Sequence, residues 1–203
     1  MTGWPEMIMM KSNKMLKEKK KQTHEEKKRV REETISHHCR TLAKIITEIR
    51  PIYKKAKAEQ QALIETMIGA TIWYIPKPQD AWTGRISREA LKRLHPDSRA
   101  SSCKLSEEHV YPRKIAAQQL LRKTRLTQKE MVKLYRERYS KLHYITPDEN
   151  KAVTRYQRAD VFTTPKAAYK AANIVLIKVR LADLGQIKRR SRQVINRYLK
   201  KGG

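Results

Sequence analysis

Two short strings carry the residue types that could do chemistry on a phosphate. The first is Glu107-Glu108-His109-Val110-Tyr111-Pro112, and the second is Thr146-Pro147-Asp148-Glu149-Asn150. Phosphodiester cleavage needs a group to take a proton from the attacking water, positive charge on the phosphoryl oxygens, and stabilisation of the departing oxygen. A neutral imidazole at His109 suits the first task because its pKa lies near working pH. The Glu108 carboxylate and the Asn150 amide are hard oxygen ligands, which suit Mg²⁺, with Mn²⁺ as the alternative; zinc would recruit His or Cys instead. Arg113 and Lys114, just after the first string, can grip a neighbouring phosphate.

The elements around these strings must put them on one site. On a regular strand Glu108 and His109 would face opposite ways. At a strand end closed by Val110 and Pro112 the chain bends, and both can address one point. Thr146 reads as a helix N-cap, Pro147 as its first residue and Glu149 as the reciprocal cap, so Asn150 falls in the first turn of a helix. Arg113 to Lys123 reads as a helix, Thr127 and Glu130 open another, and Leu142–Ile145 reads as a short strand.

Elsewhere, residues 35–50 show the 3-4-7 spacing of an amphipathic helix that Pro51 should break or kink. A second helix is expected from 52 to 68, with Leu63 and Met67 on its apolar face and Gly69 as terminator. Thr71–Ile75 reads as a strand, Trp82-Thr83-Gly84-Arg85 as a turn, and Ser87–His95 as a short helix. A helix is expected over 165–183 after Thr164-Pro165. Gly185 should separate it from a basic terminal helix over 187–199. The segment 11–33 is almost wholly charged or polar and reads as a basic arm that orders along a phosphate backbone.

Charge supplies the partner. Among 203 residues, 47 Lys and Arg stand against 20 Asp and Glu, for a formal net charge of +27. A polyphosphate surface rewards such an excess, because each neutralised phosphate releases counterions. Nucleic acid is therefore the expected partner, with no membrane partner, since no apolar run approaches the length of a span. Cys39 and Cys103 form neither a disulfide framework nor a zinc pair. The opening residues lack the apolar core of a secretory signal. A cytoplasmic, nucleoid-associated protein is expected. His37-His38-Cys39 is a poor metal cluster, because successive helical residues point about 100° apart. Trp73, Tyr74, Trp82 and Tyr111 are expected to pack a small core beside the motif rather than to stack on bases.

The strings around Glu108, His109 and Asn150 resemble the ββα-metal nucleases of the HNH superfamily, in the variety similar to phage homing endonucleases. The resemblance covers residues 100–158. It implies Glu108 and Asn150 as metal ligands, with Asp148 or Glu149 as alternatives for the second, and His109 as general base. The chain departs from that pattern in the helical segments between the strings and in lacking a clear central Asn, for which His143 or Gln119 are the substitutes. Arg155 and Arg158 follow Asn150 where a further His would stand, and would either contact the phosphate beside the metal or face solvent.

The expected architecture is thus α+β, mostly helical with a small ββα-metal core. It divides into a basic arm (1–34), a helical region with a short strand (35–98), the nuclease-like core (99–160) and basic C-terminal helices (161–203). In the last, Lys188, Arg189, Arg190, Arg192 and Arg197 would hold backbone phosphates. Gln193 and Asn196 are the groove-reading candidates. The expected function is metal-dependent endonucleolytic hydrolysis of DNA, with Glu108, His109, Asn150 and Arg113 as the catalytic set. The alternatives are a non-catalytic DNA-binding protein of repressor or packaging type, using the last helices as a helix-turn-helix-like unit, and an RNA-binding protein or RNase. The low aromatic content weighs against the RNA alternative.

Overall fold

The computed structural model describes residues 4–99, 104–158 and 161–201, with side chains for 23, 25–99, 104–158 and 161–200. Cys103 and most side chains of the basic arm lie outside these. The fold is α+β and mostly helical, with one small mixed sheet. Among the described residues, no helix is long and apolar enough to cross a membrane.

Helix α1 (Trp4–Lys55) runs through Pro51 without ending. Proline removes one backbone hydrogen bond, but Ile46 and Tyr53 on either side of it are both buried in one core. That burial outweighs the lost bond, and the helix stops one turn later. Helix α2 (Ala58–Tyr74) absorbs the stretch expected to be a strand. Ile64, Ile68 and Ile72 recur every four residues and are all buried, and this helical period overrides the β-branched composition of 71–75. Leu63 and Met67, expected on the buried face, are exposed. Gly69, expected to end the helix, lies inside it. A β-carbon there would sit 3.1 Å from the Arg113 carbonyl oxygen, so glycine lets α2 and α4 (Arg113–Arg122) close on each other.

The sheet has strand order β2-β3-β1-β4. Strand β1 (Trp82–Ser87) is where a turn was expected. Gly84, with φ of 76°, makes an irregularity in its pairing with β3 while its carbonyl still accepts from Val179 N–H at 2.7 Å. The turn-like composition therefore marks a bulge. Strand β2 (Ser106–His109) runs antiparallel to β3 (Leu142–Ile145), with Glu108 opposite His143 and His109 opposite Leu142. Helix α6 (Pro147–Thr154) follows β3 directly, started by the expected reciprocal cap: Thr146 Oγ accepts from Glu149 N–H at 3.1 Å, and Glu149 Oε2 accepts from Thr146 N–H at 2.8 Å. Glu149 also accepts from Ser87 Oγ, which in turn caps α3 (Arg88–Leu94), so the starts of α3 and α6 are tied together.

Between β2 and β3 lie α4, α5 (Gln128–Leu134) and a π-helical turn, Tyr135–Tyr139. The single helix expected over 165–183 is replaced by α7 (Pro165–Ala171), β4 (Leu176–Lys178) and the start of α8 (Leu181–Lys188). Asn173 stops α7 at φ of 55°. The Asn173 N–H bonds the Lys170 carbonyl and the Ile174 N–H bonds the Tyr169 carbonyl, the paired bonds of a Schellman stop. Gly185 sits inside α8 and separates nothing. The break before α9 (Arg192–Lys201) is a second Schellman stop, with Arg190 at φ of 62°.

Three apolar clusters hold these elements. One joins α1, α2, α4 and α5, a second joins the sheet to α3, α8 and α9, and a third packs α6 and α7 beside β3. The site lies where α2, α4, β2 and α6 meet.

Candidate functional site

A cavity of about 500 Å³ opens between these four elements, and its wall includes Glu108, His109, Arg113, Lys114, Asn150 and Arg158. Two stretches of the chain, 108–114 and 150–158, thus place six of the expected site residues on one concavity. Arg155, expected with Arg158, is exposed at the end of α6 and does not line it. Glu149 is consumed by capping, and Asp148 is exposed and paired with Arg93 at 2.7 Å, so neither alternative to Asn150 faces the cavity.

Glu108 is 3% exposed. Its two oxygens accept from Gln157 Nε2 and Tyr169 Oη. Burial pushes its carboxyl up to about 8, and the Gln157 hydrogen bond opposes that rise. Once ionised, the carboxylate offers about four lone-pair directions, so each oxygen keeps one acceptor position beyond these bonds. His143, across the strand pair, packs its ring 5.2 Å from that of Tyr169 and contacts Thr83 Oγ1 at 2.5 Å through Nδ1. His143 therefore braces the residues around Glu108. Gln119 accepts from Tyr139 Oη at 3.3 Å, one step removed from His109.

His109 Nδ1 lies 3.5 Å from the Tyr139 carbonyl oxygen, which the π-helical turn presents to it. A carbonyl only accepts, so the imidazole proton belongs on Nδ1 and the lone pair on Nε2. Nε2 is buried and has no hydrogen-bond partner among the described residues. Burial, with Lys77 and Arg113 adding to it, lowers the imidazole to about 4, so the ring is neutral at neutral pH. The Trp73 ring packs against it with centroids 4.4 Å apart, and the Arg113 guanidinium lies 4.3 Å from the centre of the same indole.

Among the described residues, no group of three or more His, Cys, Asp or Glu side chains could hold a metal ion. Cys39 is buried in the helical core while His37 and His38 are exposed, so that string is no cluster. The cavity wall carries the Glu108 carboxyl and the Asn150 amide as expected, and also Glu65, which pairs with Lys114 at 3.8 Å, and Glu107, which pairs with Lys77. Glu108 and Asn150 together fit a hard cation that keeps several waters and takes substrate oxygens, rather than one caged by protein.

The aromatic residues depart from expectation in part. Trp73 is 43% exposed on the cavity wall and Tyr74 is 80% exposed, so neither packs a core. Trp82 does pack, against Tyr144, and Tyr111 lies between Tyr139 and Phe162.

The C-terminal cations are largely committed within the fold. Arg190 donates to the carbonyls of Leu94, His95 and Pro96, bracing the end of α3. Arg192 pairs with Asp97, Arg197 lies 3.6 Å from Asp183, and Lys188 donates to Tyr144 Oη at 3.1 Å. Arg189 and Gln193 are exposed, and Asn196 is half-buried.

Sequence reasoning missed Glu65, Trp73, Lys77, Gln157 and Tyr169. Trp73 had a signal, since it stands one turn after Gly69 in a continuous isoleucine period. Tyr169 and Gln157 had none, because nothing local marks a side chain that reaches a carboxylate on a distant strand. Compared with protein-family models, curated proteins and solved structures, the chain has no significant match to any of them.

Proposed function

We propose that the chain is a metal-dependent endonuclease that hydrolyses phosphodiester bonds in nucleic acid, DNA in preference to RNA. One observation carries this reading: the cavity that gathers Glu108, His109 and Asn150 also gathers Arg113, Lys114 and Arg158. Three cations, a neutral imidazole and an amide stand on one wall beside the acidic side chains of Glu65, Glu107 and Glu108, a set that suits a phosphodiester bridged to the protein by a divalent cation. The order β2, β3, α6 also runs in the sequence expected of a ββα-metal nuclease.

In the proposed reaction His109 Nε2, brought into reach of the cavity when substrate binds, takes a proton from water as the water oxygen bonds to phosphorus and the bond to the leaving oxygen breaks. The leaving oxygen is protonated from solvent. A base held at about 4 is weak on its own. A phosphate beside Arg113 offsets one of the charges that disfavour imidazolium, and its own negative charge strengthens the base when substrate is bound. Arg113, Lys114 and Arg158 stabilise the charge that builds on the phosphoryl oxygens. Glu108 and Asn150 would hold Mg²⁺ or Mn²⁺, which supplies Lewis-acid polarisation of the phosphoryl oxygen.

The test is cleavage of supercoiled plasmid by wild type and His109→Ala in Mg²⁺, Mn²⁺ or EDTA. The expected result is divalent-dependent nicking or linearisation that H109A lacks while still binding DNA. A wild type that binds DNA with strong salt dependence and cuts it, or RNA, in no metal would establish the non-catalytic binding protein. Cutting confined to RNA would make it an RNase.

A further inference from the structure

We infer that Trp73 is a positioning residue that fixes the proposed general base and the proposed phosphate clamp to each other. The inference rests on the endonuclease reading and extends it to a residue outside the expected catalytic set. A single indole ring carries the His109 imidazole, at 4.4 Å between centroids and tilted 44°, and the Arg113 guanidinium, 4.3 Å from its centre. Lys77 Nζ lies 5.7 Å from the same ring and also pairs with Glu107, the residue before Glu108.

Each partner otherwise lacks a firm hold. Among the described residues, the only hydrogen bond to the His109 ring is the long one to Tyr139, and Nε2 has none. One weak bond leaves an imidazole free to swing about its side-chain torsions, and contact with the indole limits that swing. Arg113 is exposed at the first position of α4, where a guanidinium has several rotamers. An arginine laid on an aromatic face is held by cation–π attraction while its N–H groups stay available to a phosphate. Trp73 owes its place to Gly69, one helical turn earlier, which lets α2 approach the backbone of Arg113 itself. Because Trp73 is substantially exposed, its purpose is not core filling.

The consequence is that the base and the clamp move as one unit. Misplacing a catalytic group by about 1 Å costs on the order of a hundredfold in rate. Phenylalanine retains a ring of the same electrostatic character, whereas alanine retains none.

The experiment compares wild type, Trp73→Phe and Trp73→Ala in the full chain. Readouts are plasmid-cleavage kcat and KM, DNA affinity in EDTA, and the ¹H–¹³C shifts of the His109 ring at fixed pH. Trp73→Ala should lower kcat by on the order of tenfold to a hundredfold, with a smaller change in KM. It should also move the His109 ring resonances toward their ring-current-free positions, with Trp73→Phe intermediate in both. Wild-type kcat in Trp73→Ala overturns the inference, as do equal losses in both variants with unmoved His109 resonances. In the wild type, nuclear Overhauser contacts between the Trp73 and His109 rings test the arrangement without any variant, and their absence also overturns it. If the wild type cleaves nothing, the endonuclease reading falls, while the His109 shifts still decide whether Trp73 positions that ring.

Discussion

Gly69 of α2 faces the backbone of Arg113 at the start of α4, so closely that a β-carbon would lie 3.1 Å from the carbonyl oxygen and 3.2 Å from the carbonyl carbon. Both positions belong to helices, so neither backbone can yield without carrying its helix. The absence of one side chain therefore sets how far the wall bearing Trp73 stands from the wall bearing Arg113 and Lys114.

Gly69→Val should push these helices apart. Overpacking at a tight helix contact costs about 1–3 kcal/mol, read as a lower urea midpoint with an unchanged slope. Cleavage per folded molecule should fall as well, because Arg113 is displaced from the indole. Gly69→Ala should sit between, since alanine recovers about 1 kcal/mol of helix propensity.

Glu108 gives a pH dependence with a definite sign. Its carboxyl is raised from 4.5 to about 8 by burial. Between those values the folded protein holds a proton that the unfolded chain has released. Its contribution to stability is thus fully present at low pH and declines as pH rises through that window, by about 1.4 kcal/mol per pH unit. Urea unfolding from pH 5 to 8 should show this slope, and Glu108→Gln should flatten it. Mg²⁺ would compete with the same proton, so calorimetric Mg²⁺ affinity should rise with pH and level off above about 8. Gln157→Leu removes a bond that favours the ionised form and should move that plateau to higher pH.

The parts of this arrangement that were legible in the sequence are those governed by local chemistry. Thr146, Pro147 and Glu149 announce the start of α6 by satisfying its first N–H groups, and the structure makes those bonds. Glu108 and His109 do end a strand that turns at Pro112. What was illegible depends on partners distant in the chain. Residues 71–75 have the composition of a strand, but their isoleucines continue a helical stripe that only the core against α1 and α4 reveals. Arg190 reads as one more phosphate-binding cation until three carbonyls of α3 and its exit are found around it.

Arg190 and Arg189 should therefore part company on substitution, although they are neighbours of like charge. Arg190→Ala removes the hydrogen bonds to three carbonyls at the end of α3, so it should lower stability by about 1–3 kcal/mol. Arg189→Ala touches no such brace and should stay within about 0.5 kcal/mol of wild type. Thermal or urea unfolding of the two single variants checks this. Equal stabilities would mean that the Arg190 bonds contribute nothing net.

Lys114 and Arg158 should show themselves in the salt dependence of nucleic-acid binding rather than in stability. Both are exposed on the cavity wall, where a phosphate can reach Arg158 directly and Lys114 in competition with Glu65, 3.8 Å from its Nζ. Each direct phosphate contact contributes about 0.9 to the slope of log K against log salt on duplex DNA. Lys114→Ala with Arg158→Ala should therefore flatten the slope by about 1.8, measured by fluorescence anisotropy in EDTA over a range of salt. Arg155→Ala, on the neighbouring turn but off the cavity wall, is the control and should change the slope less. A double variant with the wild-type slope would place the bound phosphates elsewhere on this basic surface and remove the cavity from the path of the nucleic acid.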